Sequence, residues 1–130
     1  MTSLVFDTGA LSLFFADDDR LRPLVEGIHE GKDGGSLSSV TLAEFYYKTC
    51  QRLGREVATL WSRQLSERIE VVAADVELST SAGLEKCRNN GLSLADCYAL
   101  ALTKRVHGLL LTTDSELAKN NEAKVRFFEV

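Results

Sequence analysis

The chain has 130 residues, 45% hydrophobic and 26% charged, a net charge of −4 and three cysteines at irregular spacing. That length suits one domain, residues 1–130, able to bury a core without disulfide or metal staples. The acidic balance excludes broad non-specific attraction to nucleic acid, and no apolar run reaches the length of a membrane span.

Reduced thiols and a start without a basic leader, Met1-Thr2-Ser3-Leu4, predict a cytoplasmic protein. Leu4-Val5-Phe6 reads as a buried strand that ends in the turn Asp7-Thr8-Gly9. A helix follows over Ala10–Phe15, interrupted by Asp17-Asp18-Asp19, adjacent acids expected to be solvated or to cap the next helix. Leu21, Leu24, Val25 and Ile28 recur at helical spacing, and Gly31 to Gly35 closes that helix. Ser36–Val40 is a predicted strand, after which Thr41-Leu42-Ala43-Glu44 opens a helix carrying Phe45, Tyr46 and Leu53.

Glu56–Arg68 is predicted helical, with Val57, Leu60, Trp61 and Leu65 on one face. Ile69–Val72 is β-branched and strand-like, and Val76–Arg88 is helical up to Asn89-Asn90-Gly91. Leu94–Val106 is apolar on almost every side, as a helix inside a domain must be. Gly108–Thr113 is another buried strand, Ser115–Lys119 a short helix and Val125–Val130 a last strand. Strands alternating with helices imply an α/β domain with a mainly parallel sheet, where ligands bind beyond the carboxyl ends of the strands.

Asp7 and Asp114 both sit at that end of apolar strands, and both could simply be N-caps. Thr41-x-x-Glu44 and Ser93-x-x-Asp96 fit the capping-box spacing, so each acid has a structural reading of its own. Their joint context points elsewhere. Asp96 lies in the first turn of the most apolar helix, and no lysine or arginine adjoins Asp7, Asp96 or Asp114 in sequence. Carboxylates that converge without basic partners raise one another's pKa unless a cation sits between them. Hard oxygen ligands suit Mg²⁺ or Mn²⁺, ions that polarise a phosphodiester and activate water.

Phe6-Asp7-Thr8-Gly9-Ala10-Leu11, Leu42-Ala43-Glu44-Phe45, Leu92-Ser93-Leu94-Ala95-Asp96-Cys97-Tyr98-Ala99-Leu100 and Leu111-Thr112-Thr113-Asp114 resemble the motif regions of PIN-domain ribonucleases. Within that family the chain is most similar to VapC-type toxins of prokaryotic toxin–antitoxin pairs, over essentially its whole length. The resemblance implies a three-layer α/β/α sandwich with a mainly parallel, five-stranded sheet. It further implies metal-dependent endonucleolytic hydrolysis of RNA, with Asp7, Glu44, Asp96 and Asp114 as catalytic acids holding Mg²⁺ or Mn²⁺. Thr8 and Thr112 match hydroxyl positions that support the acids or a coordinated water. Glu116 stands where relatives carry a further acid or an aromatic; as an auxiliary ligand it competes with the simpler reading of an exposed helix acid. An antitoxin protein covering the site and a homodimer are implied as partners beside the RNA substrate, with no membrane association.

Other features have plainer readings. Trp61 and Tyr46-Tyr47 could stack on bases, but their spacing with leucines favours core or dimer packing. Of Lys48, Arg52, Lys86, Arg88 and Lys104, at most one or two are expected to steer phosphate. Cys97 is read as a packing residue, since no histidine base lies near it. Two rival functions find less support in the residues. Asp7-Thr8-Gly9 superficially resembles the nucleophile loop of haloacid-dehalogenase-type phosphatases, but Gly9 stands where that family carries a second acid. A PIN-like module that binds RNA or protein without catalysis would have no need of a converged anionic site.

Overall fold

Short apolar runs become strands here because helices cover both faces of the sheet they build. In the computed structural model, which describes residues 1–130, β1 (Ser3–Phe6), α1 (Thr8–Phe15), α2 (Arg22–His29) and β2 (Gly34–Ser38) open the chain. Next come α3 (Ser39–Leu53), α4 (Arg55–Arg68), β3 (Glu70–Val72), α5 (Val76–Arg88) and α6 (Leu94–Arg105). The last elements are β4 (Leu109–Thr112), α7 (Ser115–Ala118) and β5 (Lys124–Phe127). The five strands are all parallel, in the order β3-β2-β1-β4-β5. β1 is central: Leu4 pairs with Gly35 on one side and Leu109 on the other.

Alternation along the strands divides the interior into two layers. Leu4, Phe6 and Leu111 point to one side, where Leu11, Phe45 and Leu65 from α1, α3 and α4 cover them. Val5 and Leu110 point to the other, against Leu78, Leu100, Leu102 and Leu117 from α5, α6 and α7. The chain is thus the expected three-layer α/β/α sandwich. The most apolar helix, α6, buries Ala95, Cys97, Ala99, Leu100, Ala101, Leu102 and Thr103, more than one face of it. No helix is long and apolar enough to cross a membrane.

Several boundaries differ from the sequence expectation. β2 starts at Gly34 and stops at Ser38, so Ser39 and Val40 belong to the helix instead. The cause is a cap: the Ser38 hydroxyl accepts the Thr41 N–H at 3.0 Å and starts α3 early. Thr41 is therefore not the cap, and Glu44 lies in the second turn, released from any capping role. Gly54, at φ +93°, ends α3 and begins α4 directly, a turn a side chain would strain. On α4 the inward residues are Ala58, Trp61 and Leu65, whereas Leu60 is 47% exposed, because the inner stripe runs one position off the predicted one. The acidic run does not cap α2; Asp18 pairs with Arg20, and Asp17 and Asp19 with Arg22. β5 stops at Phe127, while the Phe128 N–H still donates to Thr112 O at 2.8 Å.

Candidate active site

The order of strands reverses between β1 and β4, and the chain leaves both at the same end of the sheet. Beyond β1 comes Asp7, 3% exposed, and beyond β4 comes Asp114. Crevices of this kind, at the carboxyl ends where strand order switches, are where open parallel sheets bind ligands.

Each acid is fixed by its own element. Asp7 Oδ1 accepts the Ala10 N–H at 2.8 Å, capping α1, while its Oδ2 accepts the Thr112 hydroxyl. Thr112 Oγ1 in turn accepts the Asp114 N–H at 2.9 Å, so one fully buried hydroxyl joins the two acids. Asp114 Oδ1 accepts the N–H groups of Glu116 at 2.7 Å and Leu117 at 3.3 Å, capping α7. The Asp96 N–H donates to Ser93 Oγ at 3.1 Å, the cap of α6, and its carboxyl lies close enough to those of Asp114 and Asp7 to feel their charge. Glu44 Oε1 accepts the Thr8 hydroxyl, which brings α3 to the residue after Asp7. Its Oε2 is 3.9 Å from Lys48 Nζ.

The electrostatics follow from this convergence. Burial pushes the Asp7 carboxyl up and Asp114 adds to it, against the Thr112 and Ala10 hydrogen bonds that pull it down. Asp96 is pushed up to about 7 by burial first, then by sharing a hydrogen bond with Asp114, with repulsion from Asp114 and Asp7 behind it. No lysine or arginine pairs with Asp7, Asp96 or Asp114. These three carboxylates therefore form one anionic group, and Glu44 reaches it through Thr8. No three His, Cys, Asp or Glu side chains close tightly enough on one point to hold an ion as they stand. In kind, however, the donor set fits a hard divalent cation: oxygen ligands, mutual repulsion and no competing basic group.

Glu116 lies apart from this group, 63% exposed and paired with Lys119 at 3.1 Å. Of the basic residues, only Lys48 stands beside one of the four acids. Lys86 instead donates to Asn90 O at 2.7 Å and Leu92 O at 2.5 Å, and Lys104 bridges Glu85 and Glu122. Trp61 stacks on Phe15 with ring centroids 4.7 Å apart, so it packs. Tyr46 bonds Thr59, whereas Tyr47 is largely exposed. Cys97 is buried, and that burial pushes its thiol up, away from nucleophilic use.

Sequence reasoning passed over two supports. Ser38 stands three residues before Thr41, a cap spacing hidden by the more obvious Thr41-x-x-Glu44. A Cβ on Gly9 would stand 1.8 Å from Thr113 Oγ1, so glycine lets the β4–α7 turn lie on α1 and place Asp114 near Asp7. No local pattern in the sequence announces that contact.

The family model for the PIN domain matches residues 4–123. Among solved structures, DNA-bound VapBC from Salmonella typhimurium is similar at 14% identity and TM-score 0.78, with 98% of each chain covered. VapBC2 from Rickettsia felis, bound to a promoter DNA fragment, is similar at 15% identity and TM-score 0.73, covering 98% of this chain and 99% of that one. VapC20 from Mycobacterium tuberculosis, described as a toxin cleaving the sarcin–ricin loop, gives 17% identity and TM-score 0.70, with 98% of each covered. No curated protein sequence matches.

Proposed function

The chain belongs to the PIN-domain family, and from that premise we propose that residues 1–130 form one divalent-metal-dependent endoribonuclease, the toxin of a toxin–antitoxin pair. One observation carries the reading: Asp7, Asp96 and Asp114 share an electrostatic environment at the strand-order switch with no cation of the protein's own to offset it. A structural role alone does not account for that, because caps need one acid per helix and no convergence. The likeness to VapBC structures of toxin–antitoxin systems, and the sarcin–ricin loop that VapC20 cleaves, support the choice of RNA and of an antitoxin partner.

In this mechanism Asp7, Glu44, Asp96 and Asp114 would hold Mg²⁺ or Mn²⁺. Such an ion supplies positive charge to a phosphodiester and lowers the pKa of a water enough to make it a nucleophile at neutral pH. The chain's own residues do the positioning. The Thr112 hydroxyl fixes the Asp7 carboxylate and the Asp114 backbone at once, and Thr8 aims Glu44. Burial and the neighbouring Asp114 carboxyl push Asp96 up to about 7, and a cation held there would favour its charged form. The free cysteines suit a cytoplasmic setting, and a homodimer is the expected assembly by family analogy.

The test is cleavage of single-stranded RNA in Mn²⁺ by the wild type and by Asp7→Asn and Asp96→Asn. Cleavage should fall by at least a hundredfold in both variants, with unchanged circular dichroism. Full activity in both would refute the assignment of these acids.

A further inference from the structure

Between the α5–α6 turn and α7 lies a cleft of about 260 Å³, lined by Asn89, Gly91, Leu92, Glu116, Lys119 and Asn120. One wall is the α5–α6 turn, which leads through Ser93 into the helical turn carrying Asp96. The other is α7, whose cap is Asp114. The elements that form its walls thus also carry Asp96 and Asp114. Its size lies just under the roughly 300–1,000 Å³ of pockets for drug-sized ligands, and its lining is polar where theirs is apolar. A single polar ring fits that description.

The polar groups are set in fixed directions. Asn89 Nδ2 donates to Glu85 O at 3.1 Å, and a carbonyl accepts only the amide nitrogen, so Oδ1 is left as an acceptor. Asn120 Oδ1 accepts the Glu122 N–H at 2.9 Å, so its Nδ2 is left as a donor. The Asn89 wall is held rigid by Lys86, whose Nζ ties down the carbonyls of Asn90 and Leu92. Lys119 Nζ neutralises Glu116 across an exposed 3.1 Å pair. Such a surface pair is worth about 0–1 kcal/mol, so little holds the Lys119 ammonium to Glu116 alone.

An amide acceptor, an amide donor and an ammonium lining one cleft match what the edge of a nucleobase and its phosphate require. We infer that the cleft between the α5–α6 turn and α7 binds one unpaired nucleotide next to the cleaved bond, its base edge held by Asn89 and Asn120. The subsite rests on the ribonuclease reading for its place in catalysis.

The test titrates the full chain, in chelator, with each of the four ribonucleoside 5′-monophosphates and with ribose 5-phosphate. The readout is the NMR signals of the Asn89 and Asn120 side-chain amides, assigned with Asn89→Ala and Asn120→Ala. At least one nucleotide should shift both signals saturably by 20 mM, and each variant should weaken its binding by about three- to tenfold, as loss of one hydrogen bond does. Asn120→Ala lies outside every helix and serves if Asn89→Ala disturbs the end of α5. No saturable shift with any of the four would overturn the proposal, as would equal shifts with ribose 5-phosphate, which has no base. Binding here without cleavage of any RNA would remove the nuclease reading and leave a nucleotide site. Cleavage of RNA without nucleotide binding here would do the reverse.

Discussion

If the three aspartates repel one another in the metal-free protein, neutralising one of them should stabilise the fold. Asp96→Asn is the informative change, because asparagine is the isostere of the protonated acid and keeps a donor for Asp114. Asp96 holds its proton up to about pH 7 in the folded chain, against an ordinary value of 3.8. Between those values the folded state binds a proton that the unfolded state has lost, so stability falls as pH rises through that window. Unscreened, such a displacement corresponds to about 4 kcal/mol at 1.36 kcal/mol per unit. Water reaches the half-buried carboxyl, so about 1–2 kcal/mol is expected to remain. Loss of an acid in the first turn of α6 returns about 0.5 kcal/mol in the other direction. The net gain in the variant, about 1 kcal/mol, raises Tm by about 5 °C for a chain of this size. Thermal melts in chelator should show that rise at pH 8 and none at pH 4. Mn²⁺ at a hundred times its Kd should then restore about 2.7 kcal/mol to the wild type and less to the variant. A variant that melts at or below the wild type in chelator at pH 8 would refute the reasoning, since Asp96 would then not belong to an unrelieved anionic cluster.

Four further outcomes separate supports from ligands. Thr112→Val removes one hydroxyl that serves Asp7 and Asp114 together and should cost about 1–3 kcal/mol in urea titrations, with cleavage reduced at least tenfold. Thr8→Val leaves Glu44 unaimed and should weaken Mn²⁺ binding by about 10- to 100-fold in calorimetry, the usual effect of losing a partner of a ligand. Gly9→Ala should destabilise by about 1–3 kcal/mol through overpacking, and Gly9→Ala with Thr113→Gly should recover most of that loss in chemical denaturation. Lys104→Met strands the buried Glu85 carboxylate and should cost about 3 kcal/mol of stability, while activity per folded molecule, measured by active-site titration, stays unchanged.

Legibility in the sequence tracked how local each cause is. β1 and β4 could be read directly because strands covered on both faces must be continuously apolar, as Leu4-Val5-Phe6 and Leu109-Leu110-Leu111 are. The same holds for α6, whose apolar residues run round the helix. β2 was misplaced because Gly34 and Gly35 have poor strand propensity, yet pairing with Ser3 and Leu4 in the sheet overrides it. In the site, Asp7 and Asp114 could be placed from their strands and Asp96 from its helix. What tied Glu44 to them could not: Thr8 and Glu44 meet across 36 residues of sequence, and no periodicity spans that distance.

The capping and ligand readings of the acids are not alternatives, and their coexistence explains how the metal-free fold tolerates them. Asp7 caps α1, Asp114 caps α7, and Asp96 lies in the first turn of α6. The Asp7 and Asp114 carboxylates thus accept backbone N–H groups, and α1 and α6 present the positive ends of their dipoles to Asp7 and Asp96, worth about 0.3–1 kcal/mol per acid. Those contacts hold the acids in place but do not offset their burial and mutual repulsion, as the raised Asp96 shows. A cation therefore has a stabilising role left to fill at the strand-order switch, and the helices that cap there have already fixed the direction from which its ligands come.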